Sequence, residues 1–483
     1  RAPWRWRVPL ILLGLVVAGI GIRLLADRSL WLDEATTWYQ SRLPFGVLLE
    51  NLRTTDVHPP GHHALVWLSV RAFGEGELAL RIPSLLAGAA LIPMLFVAGR
   101  ALFDRRTGLI AAAIGTVAPI LVWYSGEARM YAQLMLLAVV AVWALHRAVE
   151  TGAWPYWIAY AGAAAAMIWT QYFAALIVGV LQVALVVMVA RATRTGESKS
   201  RWRLPVGGLL ATVAVALALV LLAPFALDQF VANEAAGRGF NQPAQAGGAV
   251  DSQVSLYGAL TNGIWALWGY HSNATMAQLT ALWPLLILLA LLVLGRGRSR
   301  AVYLLCACVA VPALLLTALS IPKPFLFELR YSLTAVPLLV LLIAAAVSRW
   351  PSGALGRWAL GGLVVATMAI GVTDQQLNGS NPRVYDFGGA LGAVSERAQT
   401  GDVLVYDPEE LNNVIEYYAP RLQASRLSGA GVPSDAGRVF LLSSFRQKQE
   451  NLDATQAAVS RLRERRELVE KFTFPQVRVW LFE

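Results

Sequence analysis

Five short polar clusters interrupt a largely apolar sequence, and each carries side chains that can do chemistry. They are Asp33-Glu34, Asp56-Val-His58-Pro-Pro, Glu127-Ala-Arg129-Met-Tyr131, Trp169-Thr-Gln-Tyr172, and Lys323 with Arg330-Tyr331. A carboxylate can take a proton from a hydroxyl as a general base. Lysine and arginine can stabilise a phosphate that gains charge as it leaves. The set therefore favours a group transfer from a phosphate-bearing donor.

Each cluster also fits a purely structural interpretation. Asp33-Glu34 could begin a helix, and His58-Pro-Pro could form a rigid turn. Arg129 could extend its charge to the membrane interface, Tyr172 could belong to an aromatic belt, and the later cations could anchor to lipid headgroups. The functional interpretation depends on the clusters occurring together.

The elements that must position these clusters are membrane-spanning helices. Of the 483 residues, 57% are hydrophobic and 14% charged, whereas soluble domains carry roughly 25% charged residues. Since a span needs about 20 mostly apolar residues, we predict about eleven spans. They lie near 8–25, 79–98, 108–125, 130–146, 155–170, 173–190, 204–222, 277–295, 301–319, 331–348 and 357–373. The basic residues, net +10, fall in short clusters between these runs and form no face for nucleic acid.

Charge fixes the expected orientation. With a cytoplasmic N-terminus, every inner segment is basic, as the preference of lysine and arginine for the inner side predicts. These segments carry Arg1 to Arg7, Arg100 to Arg106, Arg147, Arg191 to Arg203, Arg296 to Arg300, and Arg349 with Arg357. The run 61–73 is too short to span and is predicted to be an interfacial helix. All five polar clusters then lie at the outer face, and two outer segments are long, 26–78 and 223–276.

The chain after the last span has an ordinary soluble composition. We predict a membrane domain over 1–374 and an extracytoplasmic α/β domain over 375–483. Alternating patterns predict strands at Val403-Leu-Val-Tyr and Val439-Phe-Leu-Leu, a polar helix near 448–466, and a hairpin from Leu468 to Phe482.

Four stretches resemble the GT-C superfamily of membrane glycosyltransferases, and within it the branch of protein O-mannosyltransferases and aminoarabinose transferases. They are Asp33-Glu34, His58-Pro-Pro60, Arg81-Ile-Pro-Ser-Leu-Leu-Ala-Gly88 and Tyr124-Ser-Gly-Glu-Ala-Arg-Met-Tyr131. The later Phe327-Glu-Leu-Arg-Tyr-Ser332 resembles an Arg-Tyr segment of the same branch. The resemblance covers about residues 8–373. It implies a GT-C fold, that is, an α-helical polytopic membrane protein.

The resemblance also implies an inverting sugar transfer, with Asp33 as general base and Glu34 beside it. Binding of the donor phosphate or sugar would fall to His58, Glu127, Arg129, Tyr131, Tyr172, Lys323, Arg330 and Tyr331. Some relatives place a carboxylate or lysine directly before Pro-Pro, where this chain has His58. Asp56 is a candidate second carboxylate, and use of a divalent cation as cofactor stays open.

The expected partners are a polyprenyl-phosphate-linked sugar, with mannose or arabinose favoured, a glycan, glycolipid or protein acceptor, and the lipid bilayer. The expected location is a bacterial inner membrane. A lipid-linked sugar flippase or transporter is the main alternative, but it should carry ionisable groups near the bilayer midplane, where the spans have almost none. A non-catalytic envelope scaffold is a third hypothesis, and it would leave the charged outer clusters unexplained.

Overall fold

The computed structural model describes residues 4–195, 202–236, 294, 299–320, 329–379, 381, 384–407, 411–426, 437–444 and 449–483. The predicted span 277–295, except residue 294, lies outside this part of the chain. So do Lys323 and residues 237–276 of the second long outer segment.

The membrane part is a bundle of apolar helices. Within the described residues, eight helices are long and apolar enough to span a membrane, and a bent pair would make a ninth. The eight segments are Arg7–Leu24, Glu77–Leu102, Tyr131–Thr151, Ala174–Arg194, Arg203–Ala235, Arg300–Leu319, Arg330–Ser348 and Ala354–Leu377. The span at Arg330–Ser348 is 83% buried and lies centrally, whereas Arg7–Leu24 is 17% buried and lies at the periphery.

The helices of the membrane part follow the predicted runs closely. They are α1 (Trp4–Leu24), α5 (Glu77–Leu102), α6 (Arg105–Val117), α7 (Pro119–Ser125), α8 (Tyr131–Thr151), α9 (Trp154–Thr170), α10 (Ala174–Thr195), α11 (Arg203–Ala235), α12 (Arg300–Ser320), α13 (Val336–Ser348) and α14 (Ala354–Leu377). A 3-10 helix, Leu329–Ala335, leads into α13. The polytopic helical fold class is therefore confirmed.

The predicted third span, 108–125, is not one straight helix. Its two halves, α6 and α7, meet at a bend of 58°. Proline has no N–H and disfavours helical geometry in the residue before it, and Ala118 is accordingly extended. Pro119 cannot donate to the Gly115 carbonyl, and the Arg23 guanidinium donates to that carbonyl instead, at 3.3 Å.

The first predicted outer segment, residues 26–78, contains three short helices, α2 (Leu32–Arg42), α3 (Phe45–Thr55) and α4 (Gly61–Phe73). The predicted helix at 61–73 is present, and its position at a membrane interface stays a prediction. Arg71 on α4 donates to the carbonyls of Ser41, Arg42 and Leu43, at 3.1–3.2 Å. These contacts satisfy carbonyls that a helix end leaves without partners, and they tie α2 to α4.

The α11 helix corrects one predicted boundary. We expected an outer loop from residue 223, but the helix continues through Pro224 to Ala235. Gln229 and Asn233 lie one turn apart on its buried side and donate to backbone carbonyls of the first outer segment. These tertiary hydrogen bonds, absent from any local sequence pattern, hold the extension in place.

The C-terminal part forms a five-stranded sheet of order β2-β1-β3-β5-β4. The strands are β1 (Val403–Asp407), β2 (Gln423–Arg426), β3 (Val439–Ser443), β4 (Leu468–Phe474) and β5 (Val477–Phe482), and three helices accompany them, α15 (Phe387–Arg397), α16 (Asn412–Tyr418) and α17 (Gln449–Arg463). The strands β1, β2 and β3 run parallel, and β5 is antiparallel to β3. The predicted small α/β fold with a terminal hairpin is confirmed.

Candidate active site

Asp33 lies near the start of α2 and faces two arginines from distant parts of the chain. Its Oδ2 is 3.4 Å from Arg330 Nη1 and 3.9 Å from Arg129 Nε. The side chains of Asp33 and Arg330 are 33% and 30% exposed, so a ligand can reach both. The structure therefore brings together a carboxylate and two cations that the sequence separates by up to 297 residues.

Glu34 has a different environment from its neighbour, because successive residues of a helix point about 100° apart. It is 2% exposed, and both of its oxygens accept from the Arg81 guanidinium, at 2.8 and 2.9 Å. Oε1 also accepts from the Ala128 N–H at 2.8 Å. Burial opposes ionisation, but Arg81 and the Ala128 N–H hold the pKa of Glu34 below its ordinary value. Glu34 thus joins α2 to α5 and to the loop that carries Arg129.

Arg129 occupies the loop between α7 and α8 and is 3% exposed. It donates to Thr37 Oγ1 at 3.3 Å, and its Nη2 lies 3.3 Å from the His58 ring. Burial lowers its pKa, yet the nearby Asp33 carboxylate leads the charges that raise it above the ordinary value. Arg129 is therefore a permanent buried cation beside a reachable carboxylate.

The Asp56-Val-His58 turn is a hydrogen-bonded support for this cation. Asp56 Oδ1 lies 2.7 Å from His58 Nδ1 and accepts from the backbone N–H groups of Val57 and His58. Oδ2 accepts from Gln40 Nε2 at 2.9 Å. Burial raises the pKa of Asp56, but His58, Arg129 and His63, whose Nε2 lies 3.7 Å from Asp56 Oδ2, hold it well below its usual range. Asp56 therefore orients His58, and His58 contacts Arg129.

This arrangement does not fit a divalent cation shared by Asp33 and Asp56. Protein donors already occupy the Asp56 oxygens, and the Arg129 guanidinium has electrostatic contact with both carboxylates. Among the described residues, no group of three His, Cys, Asp or Glu side chains is placed to hold a metal.

Four other predicted site residues, Tyr172, Tyr331, Glu127 and Tyr131, have contacts of their own in the described part of the chain. The Tyr172 hydroxyl donates to Gln229 Oε1 at 2.6 Å, and Tyr331 stacks on Phe173 at 4.4 Å between ring centroids. Glu127 is 6% exposed and acts electrostatically on Arg28. Tyr131 is 1% exposed and packs edge-on against Tyr124. The placement of Lys323 lies outside the described residues.

Sequence reasoning assigned no role to several residues that build the site. Arg81 anchors Glu34, Gln40 anchors Asp56, and Gln229 donates to the carbonyls of Leu52 and His58 at 2.7 and 2.9 Å. Arg81 had a signal in the sequence, because it is a cation near the start of an apolar span and belongs to the stretch from Arg81 to Gly88. Gln40 and Gln229 had none, because a single glutamine in a helix carries no pattern.

Comparison with known proteins agrees with this architecture. A family model described as "Dolichyl-phosphate-mannose-protein mannosyltransferase" matches residues 57–226. None of the curated proteins compared with the chain matches its sequence.

Solved structures match over almost the whole chain. ArnT from Cupriavidus metallidurans in the apo state has a TM-score of 0.60 at 14% identity, covering 100% of this chain and 98% of that one. ArnT bound to undecaprenyl phosphate has a TM-score of 0.56 at 15% identity, covering 99% and 98%. The oligosaccharyltransferase AglB from Archaeoglobus fulgidus, in complex with an inhibitory peptide and a dolichol-phosphate, has a TM-score of 0.51 at 13% identity, covering 95% and 69%. The chain therefore has the fold of the GT-C membrane glycosyltransferases, as its motifs implied.

Proposed function

We propose that the protein is a membrane glycosyltransferase that moves a sugar, mannose or arabinose, from a polyprenyl-phosphate donor to a hydroxyl of a cell-envelope acceptor. The observation that carries this proposal is the reachable Asp33 carboxylate held beside Arg129 and Arg330. The family match to mannosyltransferases and the polyprenyl-phosphate ligands named for two structural neighbours support the donor class. The predicted orientation places the reaction at the outer face of a bacterial inner membrane.

In the proposed reaction Asp33 accepts the proton of the acceptor hydroxyl. At the same time the oxygen of that hydroxyl attacks the anomeric carbon of the donor sugar. The bond from that carbon to the donor phosphate breaks on the opposite face, and its electron pair passes to the phosphate oxygen. Arg330 and Arg129 stabilise the added negative charge on the leaving polyprenyl phosphate. The acceptor thus gains the sugar with inverted configuration.

Glu34 has a supporting role in this proposal. Its oxygens accept hydrogen bonds from Arg81 and Ala128, and it is 2% exposed. A proton acceptor must come within hydrogen-bond reach of the reacting hydroxyl, so we assign the base to Asp33 alone and treat Glu34 as a positioning residue.

The test uses purified protein with polyprenyl-phosphate mannose and polyprenyl-phosphate arabinose. We expect Asp33→Asn to abolish transfer while the affinity for undecaprenyl phosphate stays within about two-fold, since removing a general base costs about 10²–10⁴ in rate. The matched control is Asp228→Asn, an exposed carboxylate that pairs with Arg53 at 3.2 Å. Wild-type turnover in Asp33→Asn would disprove the assignment of the base.

The phosphate role has a separate test. We expect Arg330→Gln to weaken undecaprenyl phosphate binding at least about ten-fold, because a charge-assisted contact contributes about 1.5–3 kcal/mol. Arg53→Gln, which removes an exposed guanidinium, serves as the control and should bind normally. A change confined to acceptor affinity would contradict the phosphate role of Arg330.

A further inference from the structure

The α/β domain docks on the helix that carries Asp33. From α16, Asn413 Nδ2 donates to Thr36 Oγ1 at 3.2 Å, and Glu416 pairs with Arg42 at 3.0 Å. The Tyr417 ring packs edge-on against Trp38, with 5.0 Å between centroids. All three partners belong to α2. The orientation of α2 is thus coupled to a domain that contributes no group to the proposed chemistry.

The hydroxyl of Tyr418, at the end of α16, makes two further hydrogen bonds to the membrane part. It accepts from the Leu30 N–H at 2.7 Å and donates to Glu77 Oε1 at 2.5 Å. Leu30 is fully buried and lies just before α2, and Glu77 begins α5. One hydroxyl therefore joins the α/β domain to the segment that leads into α2 and to the first turn of a membrane span.

From Glu77 the contacts continue to the residue next to Asp33. Glu77 Oε2 lies 3.3 Å from Arg81 Nη1, and Arg81 forms the paired hydrogen bonds to Glu34. The same guanidinium donates to the carbonyls of Arg28 and Ser29, at 2.9 and 3.3 Å. Two side chains, Glu77 and Arg81, thus connect Tyr418 to Glu34 without a gap.

We propose that Tyr418 is a positioning residue, through which the α/β domain holds α2 in the orientation that places Asp33 between Arg129 and Arg330. This inference rests on the proposed role of Asp33. The chain of contacts is Tyr418–Glu77–Arg81–Glu34, defined here as the anchoring relay. Its effect on rate follows from geometry, because a displacement of about 1 Å in a catalytic group can cost about 100-fold.

The first experiment measures backbone exchange and needs no substrate. In Tyr418→Phe, we expect amide hydrogen exchange to rise at least about five-fold over residues 32–42 and to stay unchanged over 45–55, since local opening is governed by local contacts. Tyr417→Phe is the matched control, because its hydroxyl donates to the Glu75 carbonyl at 3.4 Å, outside the anchoring relay, and its ring contact with Trp38 is retained. Unchanged exchange over 32–42 in Tyr418→Phe would overturn the proposal.

The second experiment separates positioning from general destabilisation. We expect kcat with the polyprenyl-phosphate sugar to fall about ten-fold in Tyr418→Phe, with undecaprenyl phosphate affinity within about two-fold of wild type. Adding Glu77→Gln should cause little further loss, because both changes break the same relay and coupled residues are not additive. If the losses in kcat from Tyr418→Phe and Glu77→Gln instead multiply in the double variant, the two residues do not act through one relay.

The result can be distinguished from failure of the proposed function. If Asp33→Asn transfers sugar normally, the base is wrongly assigned, but the exchange over 32–42 still tests whether Tyr418 holds α2. If Asp33→Asn is inactive and Tyr418→Phe keeps wild-type kcat, the chemistry stands and the positioning role is wrong.

Discussion

Replacing Glu34 with glutamine separates the roles of two adjacent carboxylates. Glutamine has nearly the same shape and can still accept from the Ala128 N–H, which Glu34 Oε1 does at 2.8 Å. It cannot supply the negative charge that pairs with Arg81, whose side chain is only 12% exposed. The substitution therefore leaves a largely buried guanidinium with a weaker partner and little steric disturbance.

The magnitude follows from the surroundings of Arg81. Removing one partner of a buried ion pair costs about 3–5 kcal/mol. Arg81 keeps Glu77, at 3.3 Å, and we therefore expect a loss near the lower end of this range, about 3 kcal/mol in the free energy of unfolding. The exposed pair of Glu416 with Arg42, both side chains 41% exposed, provides the comparison. Its removal should cost less than about 1 kcal/mol.

The same loss should depend on pH. The folded-state pKa of Glu34 lies below its ordinary value of 4.5. A carboxylate of this kind stabilises the fold fully above its unfolded pKa, and that stability is lost as the pH falls through the folded value. The difference in stability between wild type and Glu34→Gln should therefore be largest at neutral pH and shrink on acidification below pH 4.5.

The assay is thermal unfolding of purified protein in one detergent at fixed concentration, together with kcat. Because the melting temperature of a chain of 483 residues shifts by about 1 °C per kcal/mol, we expect Glu34→Gln to lower it by about 3 °C and to reduce kcat, whereas Glu416→Gln should change neither. A variant with wild-type stability and a loss of kcat as large as that of Asp33→Asn would refute this reasoning, because Glu34 would then act in the chemical step.

Two further predictions concern packing. Gly88→Ala should destabilise the protein by about 1–3 kcal/mol, because the added Cβ would collide with Ser125 beside Arg23. Gly14→Ala is the control, because a Cβ there meets nothing within 4 Å. Thermal unfolding of the two variants should show a loss of stability for Gly88→Ala alone. Gln229→Leu removes the hydrogen bonds from Tyr172 and to two backbone carbonyls. It should cost about 1–3 kcal/mol and make residues 56–60 more accessible to protease; unchanged cleavage there would count against the anchoring of this turn by α11.

Hydropathy and charge were sufficient for much of the architecture, because a span must satisfy its backbone hydrogen bonds within itself. The apolar runs near 79–98, 301–319 and 331–348 all became helices. The terminal hairpin was equally accessible, since two residues, Pro475 and Gln476, separate a strand with polar and apolar residues, β4, from the largely apolar β5. The break at Pro119 was also encoded locally, although the apolar run around it masked the signal.

The pairing of side chains at the site depended on tertiary structure. The sequence predicted that Asp33, Arg129 and Arg330 lie at one level of the membrane, but the phase of each helix decides which of them meet. The difference in environment between Asp33, which is 33% exposed, and Glu34, which is 2% exposed, is the clearest case. Arg81 from α5 and the Ala128 N–H reach only one of the two carboxylates, and only the packed bundle determines which one is buried.

The sequence by itself determined that this is a polytopic helical membrane protein, and it predicted that the polar clusters lie near one face. It did so because each span needs a run of mostly apolar residues, and because lysine and arginine are favoured in the loops on the inner side. Only the tertiary structure decided that α16 of the C-terminal domain rests on α2, the helix that carries Asp33, and that Tyr418 bonds the segment leading into it. Contacts across more than 300 residues arise from how the two domains fit together, and no local pattern records that fit.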